Sequence, residues 1–326
     1  MVEKKELNVL DSIYQSNNFE MVVVYGMRRV GKTELLKQFI KDKEVLYHTC
    51  IYNSSSNLKL LSKAIFEYNK VDSNASFESF MDAMEYIFKL SIDKKILFIL
   101  DEYPNLAMSD PSINSILQAL IDKYKDVSKL KLILCGSSIS YMTDKVMNGG
   151  PLYGRKTAQM EILPFDFNES MLFFPNYSNE EKAICYGLLG GIPLYLRQFS
   201  DKLSIIENVQ RTFFNTSSIM YLQPISLLQE ELREPTKYNS IIEAISKGKN
   251  KLTEIADYIN ESTAVVSTYM RKLINIHIVE KEKPYNGSDK KTIYIIKDNM
   301  FRFWYSMVSN NLKNKSTAIP LALDDG

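Results

Sequence analysis

At 326 residues the chain is too long for one ordinary core and suits two or three domains. A hydrophobic content of 45% and a charged content of 24% are globular values, so the core can be sizeable and nothing forces disorder. Forty Lys+Arg against 39 Asp+Glu leave a net charge of +1, so a chain-wide basic wrapper for nucleic acid is also excluded. Any contact with DNA has to come from a local patch.

Cys50, Cys135 and Cys185 are far apart and odd in number, with neither a disulfide framework nor metal spacing. His48 and His277 are too few for a histidine-based metal centre. No apolar stretch follows Met1–Glu6, so no signal peptide is expected. The tightest apolar run, Ile96–Leu100, is far too short to cross a bilayer. These features predict a soluble, cytoplasmic protein with reduced thiols and no membrane partner.

In chain order, Met21–Tyr25 reads as a buried strand and Lys32–Lys41 as a helix, with Leu35, Leu36, Phe39 and Ile40 at helical spacing. Between them, Gly26-Met27-Arg28-Arg29-Val30-Gly31-Lys32-Thr33 fits G-x-x-x-x-G-K-S/T without a gap. The two glycines let the backbone wrap closely, so that its N–H groups point at phosphate oxygens. The predicted helix adds the positive end of its dipole. Lys32 then reaches the β- and γ-phosphates, and the Thr33 hydroxyl ligates Mg²⁺.

Val45–Ile51 reads as a second strand. Leu58–Tyr68 and Phe77–Leu90 read as helices, and Ile96–Leu100 as a third strand. That third strand runs into Asp101-Glu102, about seventy residues beyond the glycine loop. Ligands bind at this edge of a parallel sheet, so Asp101 is expected on the Mg²⁺ side, and Glu102 is expected to polarise the attacking water. Leu130–Cys135 reads as a fourth strand, followed by Gly136-Ser137-Ser138. There the Ser137 hydroxyl is a candidate to sense the water or the γ-phosphate, although Gly-Ser-Ser is also an ordinary loop. Met160–Leu163 reads as a fifth strand. Apolar strands separated by helices imply an α/β fold with a parallel sheet covered on both faces.

After Pro164 the pattern becomes helical, broken by Gly190-Gly191-Ile192-Pro193. Leu252–Ile259 and Thr263–Ile274 predict a helix-turn-helix, with Ser262 as the cap of its second helix. Val279–Lys283 and Thr292–Ile296 flank Asn286-Gly287, a hairpin signal that supplies a wing. Ser267, Thr268, Arg271 and Lys272 lie on the outer face of the second helix, where double-stranded DNA would be read. Lys237–Arg302 holds twelve Lys+Arg against eight Asp+Glu, a local net charge of +4. The domains expected are a P-loop domain over 1–165, a helical lid over 166–234, a winged helix over 235–309 and a tail over 310–326.

The loop 22–33 resembles the archaeal-type ATPases, a STAND/AAA+-related group. So do Leu100-Asp101-Glu102-Tyr103-Pro104, Gly136-Ser137-Ser138, Pro151-Leu152-Tyr153-Gly154-Arg155 and Gly190-Gly191-Ile192-Pro193, in the family's order. The resemblance implies ATP with Mg²⁺, an AAA+-like sheet, a helical lid and a C-terminal winged helix. It marks Arg155 as a candidate arginine finger, the alternative being a surface arginine paired with a carboxylate. It places Gly191 and Pro193 beside the adenine, although a helix break is needed there in any case. Winged helices of such proteins contact DNA or serve as internal packing modules. The expected function is a Mg²⁺-dependent ATPase that couples nucleotide state to the winged helix as a DNA-linked or regulatory switch. The alternative is a nucleotide-gated interaction scaffold, such as a homo-oligomer, with little turnover and no DNA binding.

Overall fold

The computed structural model describes residues 4–283 and 292–309. The expected turn at Asn286-Gly287 and the expected tail therefore lie outside the described residues. The chain divides into two compact units that part between Leu163 and Pro164. Among the described residues, no helix is long and apolar enough to cross a membrane.

The first unit holds helix α1 (Lys4–Gln15) and five strands: β1 (Glu20–Tyr25), β2 (Val45–Thr49), β3 (Leu97–Asp101), β4 (Lys131–Gly136) and β5 (Ala158–Glu161). The strands are all parallel, in the order β2-β3-β4-β1-β5. Parallel neighbours need crossovers, and helices supply them. Helix α2 (Lys32–Phe39) links β1 to β2, and α3 (Ser54–Tyr68) and α4 (Phe80–Asp93) link β2 to β3. Helices α5 (Tyr103–Ser109) and α6 (Ser112–Tyr124) link β3 to β4. A short helix α7 (Ile139–Tyr141) runs into a π-helical turn, Met142–Met147, before β5. Met21 to Val24 and Leu97 to Leu100 are buried throughout, which is why both segments are continuous apolar runs.

Several boundaries differ from the sequence reading, each for a local reason. Strand β2 stops at Thr49, because the Asn57 side chain bonds both the N–H and the C=O of Ile51. Helix α3 starts at Ser54, four residues early, because the Asn53 side chain accepts the Ser56 N–H at 2.9 Å. Ser79 caps α4 in the same way and moves its start from Phe77 to Phe80. Strand β5 begins at Ala158, paired with Val22, rather than at Met160.

The second unit is helical: α8 (Phe167–Met171), α9 (Asn179–Leu189), α10 (Pro193–Leu196), α11 (Ile205–Phe213), α12 (Gln223–Glu231) and α13 (Pro235–Ser246). Helices α14 (Leu252–Ile259) and α15 (Thr263–Asn275) follow, then the antiparallel pair β6 (Val279–Glu282) and β7 (Ile293–Ile296), and α16 (Asn299–Phe303). Ser262 caps α15 by accepting the Val265 N–H. Val266, Met270 and Leu273 are buried in this unit. Trp304 is 2% exposed, and its indole N–H donates to the Tyr221 carbonyl at 2.8 Å. The Asn299 side chain donates to the Tyr186 carbonyl, which ties α16 to α9.

The break between α9 and α10 has a steric cause. A Cβ on Gly191 would lie 1.8 Å from the Phe165 carbonyl oxygen, and the Phe165 N–H donates to the Gly191 carbonyl at 2.9 Å. Gly187 is a natural control, because a Cβ there would meet nothing within 4 Å and the residue sits inside α9. Gly191→Ala is expected to lower stability by about 1–3 kcal/mol or more through overpacking. Gly187→Ala is expected to raise it by roughly 0.5–1 kcal/mol through helix propensity. Denaturant melts of the two variants check both signs, and a Gly191→Ala melt that matches the parent refutes the close-approach argument.

Candidate nucleotide site

The site is assembled where β1, β3 and β4 end. After β1 the chain enters the glycine loop at Gly26, where a Cβ would lie 2.3 Å from the Ile162 carbonyl oxygen. The loop leaves through Gly31 at φ 105°, a left-handed conformation that glycine adopts without strain. Arg29 also has a positive φ, 75°, an uncommon and strained state for a side chain of its size. Met27 and Val30 are buried and pin the loop to the unit's core, whereas Arg28 is exposed. Lys32 is 5% exposed, and its Nζ donates to the Gly26 and Met27 carbonyls at 2.9 and 2.8 Å. The lysine therefore curls back under the loop that carries it.

Asp101 closes β3 and is 3% exposed. Its Oδ2 accepts the Thr33 hydroxyl at 3.3 Å and the Tyr47 hydroxyl at 2.6 Å, and its Oδ1 accepts the Glu102 N–H at 3.0 Å. Burial, and then the hydrogen bond to Asp101, push the Tyr47 phenol far up, so its hydroxyl remains a neutral donor. Burial likewise raises the Cys50 and Cys135 thiols, the nearby Asp101 charge adding to the effect, which keeps both protonated.

Glu102 is left-handed at φ 53°, ψ 40°, and α5 starts directly behind it with Pro104 in its first turn. The Glu102 Oε2 accepts the Ser137 hydroxyl at 2.7 Å and, weakly, the Ser137 N–H at 3.4 Å. The sequence assigns Glu102 to the attacking water and the Ser137 hydroxyl to the water or the γ-phosphate; the structure makes the two residues partners of each other. Gly136 permits this, since a Cβ there would lie 2.7 Å from the Pro104 ring.

The donor set fits a magnesium ion bound with a nucleotide. Thr33 gives its proton to Asp101, which leaves its oxygen lone pairs available to a cation. Mg²⁺ takes one or two protein oxygens and completes its shell with water and phosphate. Among the described residues no group of three or more His, Cys, Asp or Glu could hold a metal.

The remaining predicted residues belong to other elements. Arg155 forms a two-pronged pair with Asp122 of α6, Nε to Oδ1 at 3.0 Å and Nη2 to Oδ2 at 2.6 Å. Its Nη1 donates to the Pro151 and Tyr153 carbonyls. Gly191 and Pro193 belong to the second unit, Pro193 in the first turn of α10. Thr268, Arg271 and Lys272 are exposed on α15 and Ser267 is half-buried. Tyr47 is the residue that sequence reasoning missed. No sequence signal marks it, because the register does the placing: Thr49 pairs with Asp101, so Tyr47, two residues earlier, shares the face of the sheet that carries Asp101.

Residues 3–199 match the model of an ATPase domain found predominantly in Archaea. An uncharacterized protein of Methanocaldococcus jannaschii is 34% identical over 95% of this chain and 69% of its own length. An uncharacterized ATP-binding protein of the same organism is 24% identical over 78% of this chain and 85% of its own. Among solved structures, a Walker-type ATPase of Pyrococcus abyssi superposes with a TM-score of 0.67 at 20% identity, covering 93% of this chain and 95% of that one. The ORC2 protein of Aeropyrum pernix, in ADPNP and ADP complexes, superposes with a TM-score of 0.61 at 13% identity, covering 95% and 93%. These two likenesses show a shared AAA+-like P-loop fold.

Proposed function

The chain belongs to the family of ATPase domains found predominantly in Archaea, and from that premise we propose that it is a Mg²⁺-dependent ATPase whose nucleotide state governs its C-terminal module. The observation that carries this reading is the convergence of Lys32, Thr33 and Asp101 at the ends of β1 and β3, with Glu102 beside them. Loop N–H groups and Lys32 hold the phosphates. For Lys32 this means exchanging the Gly26 and Met27 carbonyls for phosphate oxygen. Thr33 and Asp101 hold Mg²⁺, which neutralises phosphate charge. Glu102 orients the attacking water once its carboxylate has left the Ser137 hydroxyl. The family resemblance assigns Gly191 and Pro193 to the adenine.

The second reading is a nucleotide-gated scaffold with little turnover. The 2.7 Å bond from Ser137 to Glu102 favours it, because a carboxylate engaged in this way is withheld from water. Lys32→Ala is expected to abolish tight ATP binding in a folded protein, as read by calorimetric titration. Glu102→Gln is expected to retain binding and to slow hydrolysis by about 10²-fold or more, the scale of a lost general base. Unchanged affinity in the first variant sinks the site. An unchanged rate in the second removes Glu102 from the chemistry, and a parent chain that binds ATP but does not turn it over selects the scaffold.

Arg155 reaches a phosphate only by leaving Asp122. Acting in trans, it makes turnover per chain rise with protein concentration, and Arg155→Ala flattens that rise. Normal hydrolysis by Arg155→Ala at every dilution marks it instead as a structural partner of Asp122.

The helices α13 to α15 and the pair β6–β7 are read as a winged helix, with Thr268, Arg271 and Lys272 presented to duplex DNA and Ser267 at the edge of that face. Their exposure and the +4 charge of residues 237–302 support this. Binding to duplex DNA is expected to weaken with added salt, and Arg271→Ala with Lys272→Ala to flatten the log–log salt slope by about one to two units. A slope that the double variant leaves unchanged assigns α15 to packing or to protein contact.

A further inference from the structure

We infer that Tyr47 is a positioning residue for the metal-side carboxylate: its hydroxyl fixes Asp101 in the orientation that serves magnesium. The inference rests on the proposed nucleotide site and assigns it one more residue.

Among the described residues, one N–H and two hydroxyls donate to Asp101, with the Cys135 thiol also beside it, and the donors differ in kind. The Glu102 N–H belongs to the neighbouring peptide and follows Asp101 wherever the strand end goes. The Thr33 hydroxyl is long, at 3.3 Å, and its lone pairs are the ones a cation takes. The Tyr47 hydroxyl is the short one, at 2.6 Å, in the range of a charge-assisted bond to an ionised carboxylate. It comes from a different strand, outside the glycine loop. Strand β2 is fixed against β3 by a five-residue parallel register, from Val45–Leu97 to Thr49–Asp101. Tyr47 therefore arrives from a rigid support, already aimed at the end of β3. With one lone pair of Oδ2 held by Tyr47 and Oδ1 engaged by Glu102, the carboxylate plane is set. The remaining capacity of Oδ2 faces Thr33.

Outer partners that orient metal ligands typically affect metal affinity by about 10–100-fold. Tyr47→Phe removes the donor and keeps the ring. Fluorescent ADP is titrated into the full chain at a series of magnesium concentrations, for the parent, Tyr47→Phe and Lys32→Ala. Tyr47→Phe is expected to raise the magnesium concentration that half-maximally tightens ADP binding by about 10-fold or more. Its metal-free ADP affinity is expected to stay within about twofold of the parent, because Tyr47 acts through Asp101. A magnesium midpoint unchanged in Tyr47→Phe overturns the assignment. An equal loss of ADP affinity with and without magnesium overturns it too, since that is the mark of general structural damage. A parent chain whose ADP binding ignores both magnesium and Lys32→Ala overturns the nucleotide site itself, and Tyr47's role with it; dependence on Lys32 alone overturns only the magnesium side.

Discussion

A carboxylate that is 3% exposed sits at the end of a buried strand, and the architecture around the candidate nucleotide site follows from supplying it with hydrogen-bond donors there. Removing a carboxylate from water costs several kcal/mol even after relaxation, on the order of what one domain has in reserve. Asp101 offsets that cost with hydrogen bonds from three elements: Thr33 of α2, Tyr47 of β2 and the first residue beyond its own strand. For these donors to converge, β2 must lie beside β3 in fixed register, and α2 must start where β1 ends. The parallel order β2-β3-β4-β1-β5 meets both conditions, because it gathers the carboxyl ends of β1, β3 and β4 on one edge.

The same edge stores backbone strain. Glu102 and Arg29 are both left-handed without being glycine, a state that costs about 1–3 kcal/mol each and persists only where the surroundings enforce it. At Glu102 the enforcement is visible. The chain must turn from β3 into α5, and the Ser137 hydroxyl holds the side chain from β4. At Arg29 the buried side chains of Met27 and Val30 fix the loop on either side. In the proposed ATPase such strain favours a ground state that rearranges when phosphate binds, as the proposal also requires of Lys32.

The glycine loop, the strand-end carboxylates and four of the five strands were legible in the sequence, and for a physical reason. A phosphate loop constrains residue type and backbone together, and a strand buried on both faces has to be apolar throughout. The fifth strand was displaced by two residues, because Ala158-Gln159 at its start are not apolar enough to announce a strand. Helix α5 escapes the sequence reading, since the turn into it depends on a left-handed glutamate, which no local pattern marks. Helix α6 is legible, with Ile113, Leu117, Leu120 and Ile121 at helical spacing, although the sequence reading does not assign it. The starts of α3 and α4 were hidden because Asn53 and Ser79 act as caps through single side-chain bonds. Tyr47 and the Ser137–Glu102 pair were illegible for a deeper reason. Each joins positions 35 or more apart in the chain, and only the strand register brings them within reach.

That register also separates two neighbouring acids. Asp101 and Glu102 are consecutive, yet their side chains are anchored to different parts of the sheet. Asp101 answers to β2 and α2 through Tyr47 and Thr33, and Glu102 answers to β4 through Ser137. The left-handed turn at Glu102 makes the division possible by sending its carboxylate toward β4, while Asp101 stays on the face it shares with Tyr47. In the proposed ATPase the two carboxylates thus take their side-chain support from different elements, joined by the bond from the Glu102 N–H to Asp101. A movement of the Ser137 side chain would engage or release the water-orienting carboxylate while Tyr47 and Thr33 keep their bonds to Asp101. Nucleotide could then be held tightly while hydrolysis waits on Ser137, and this single geometry accommodates both an active ATPase and a slow nucleotide switch.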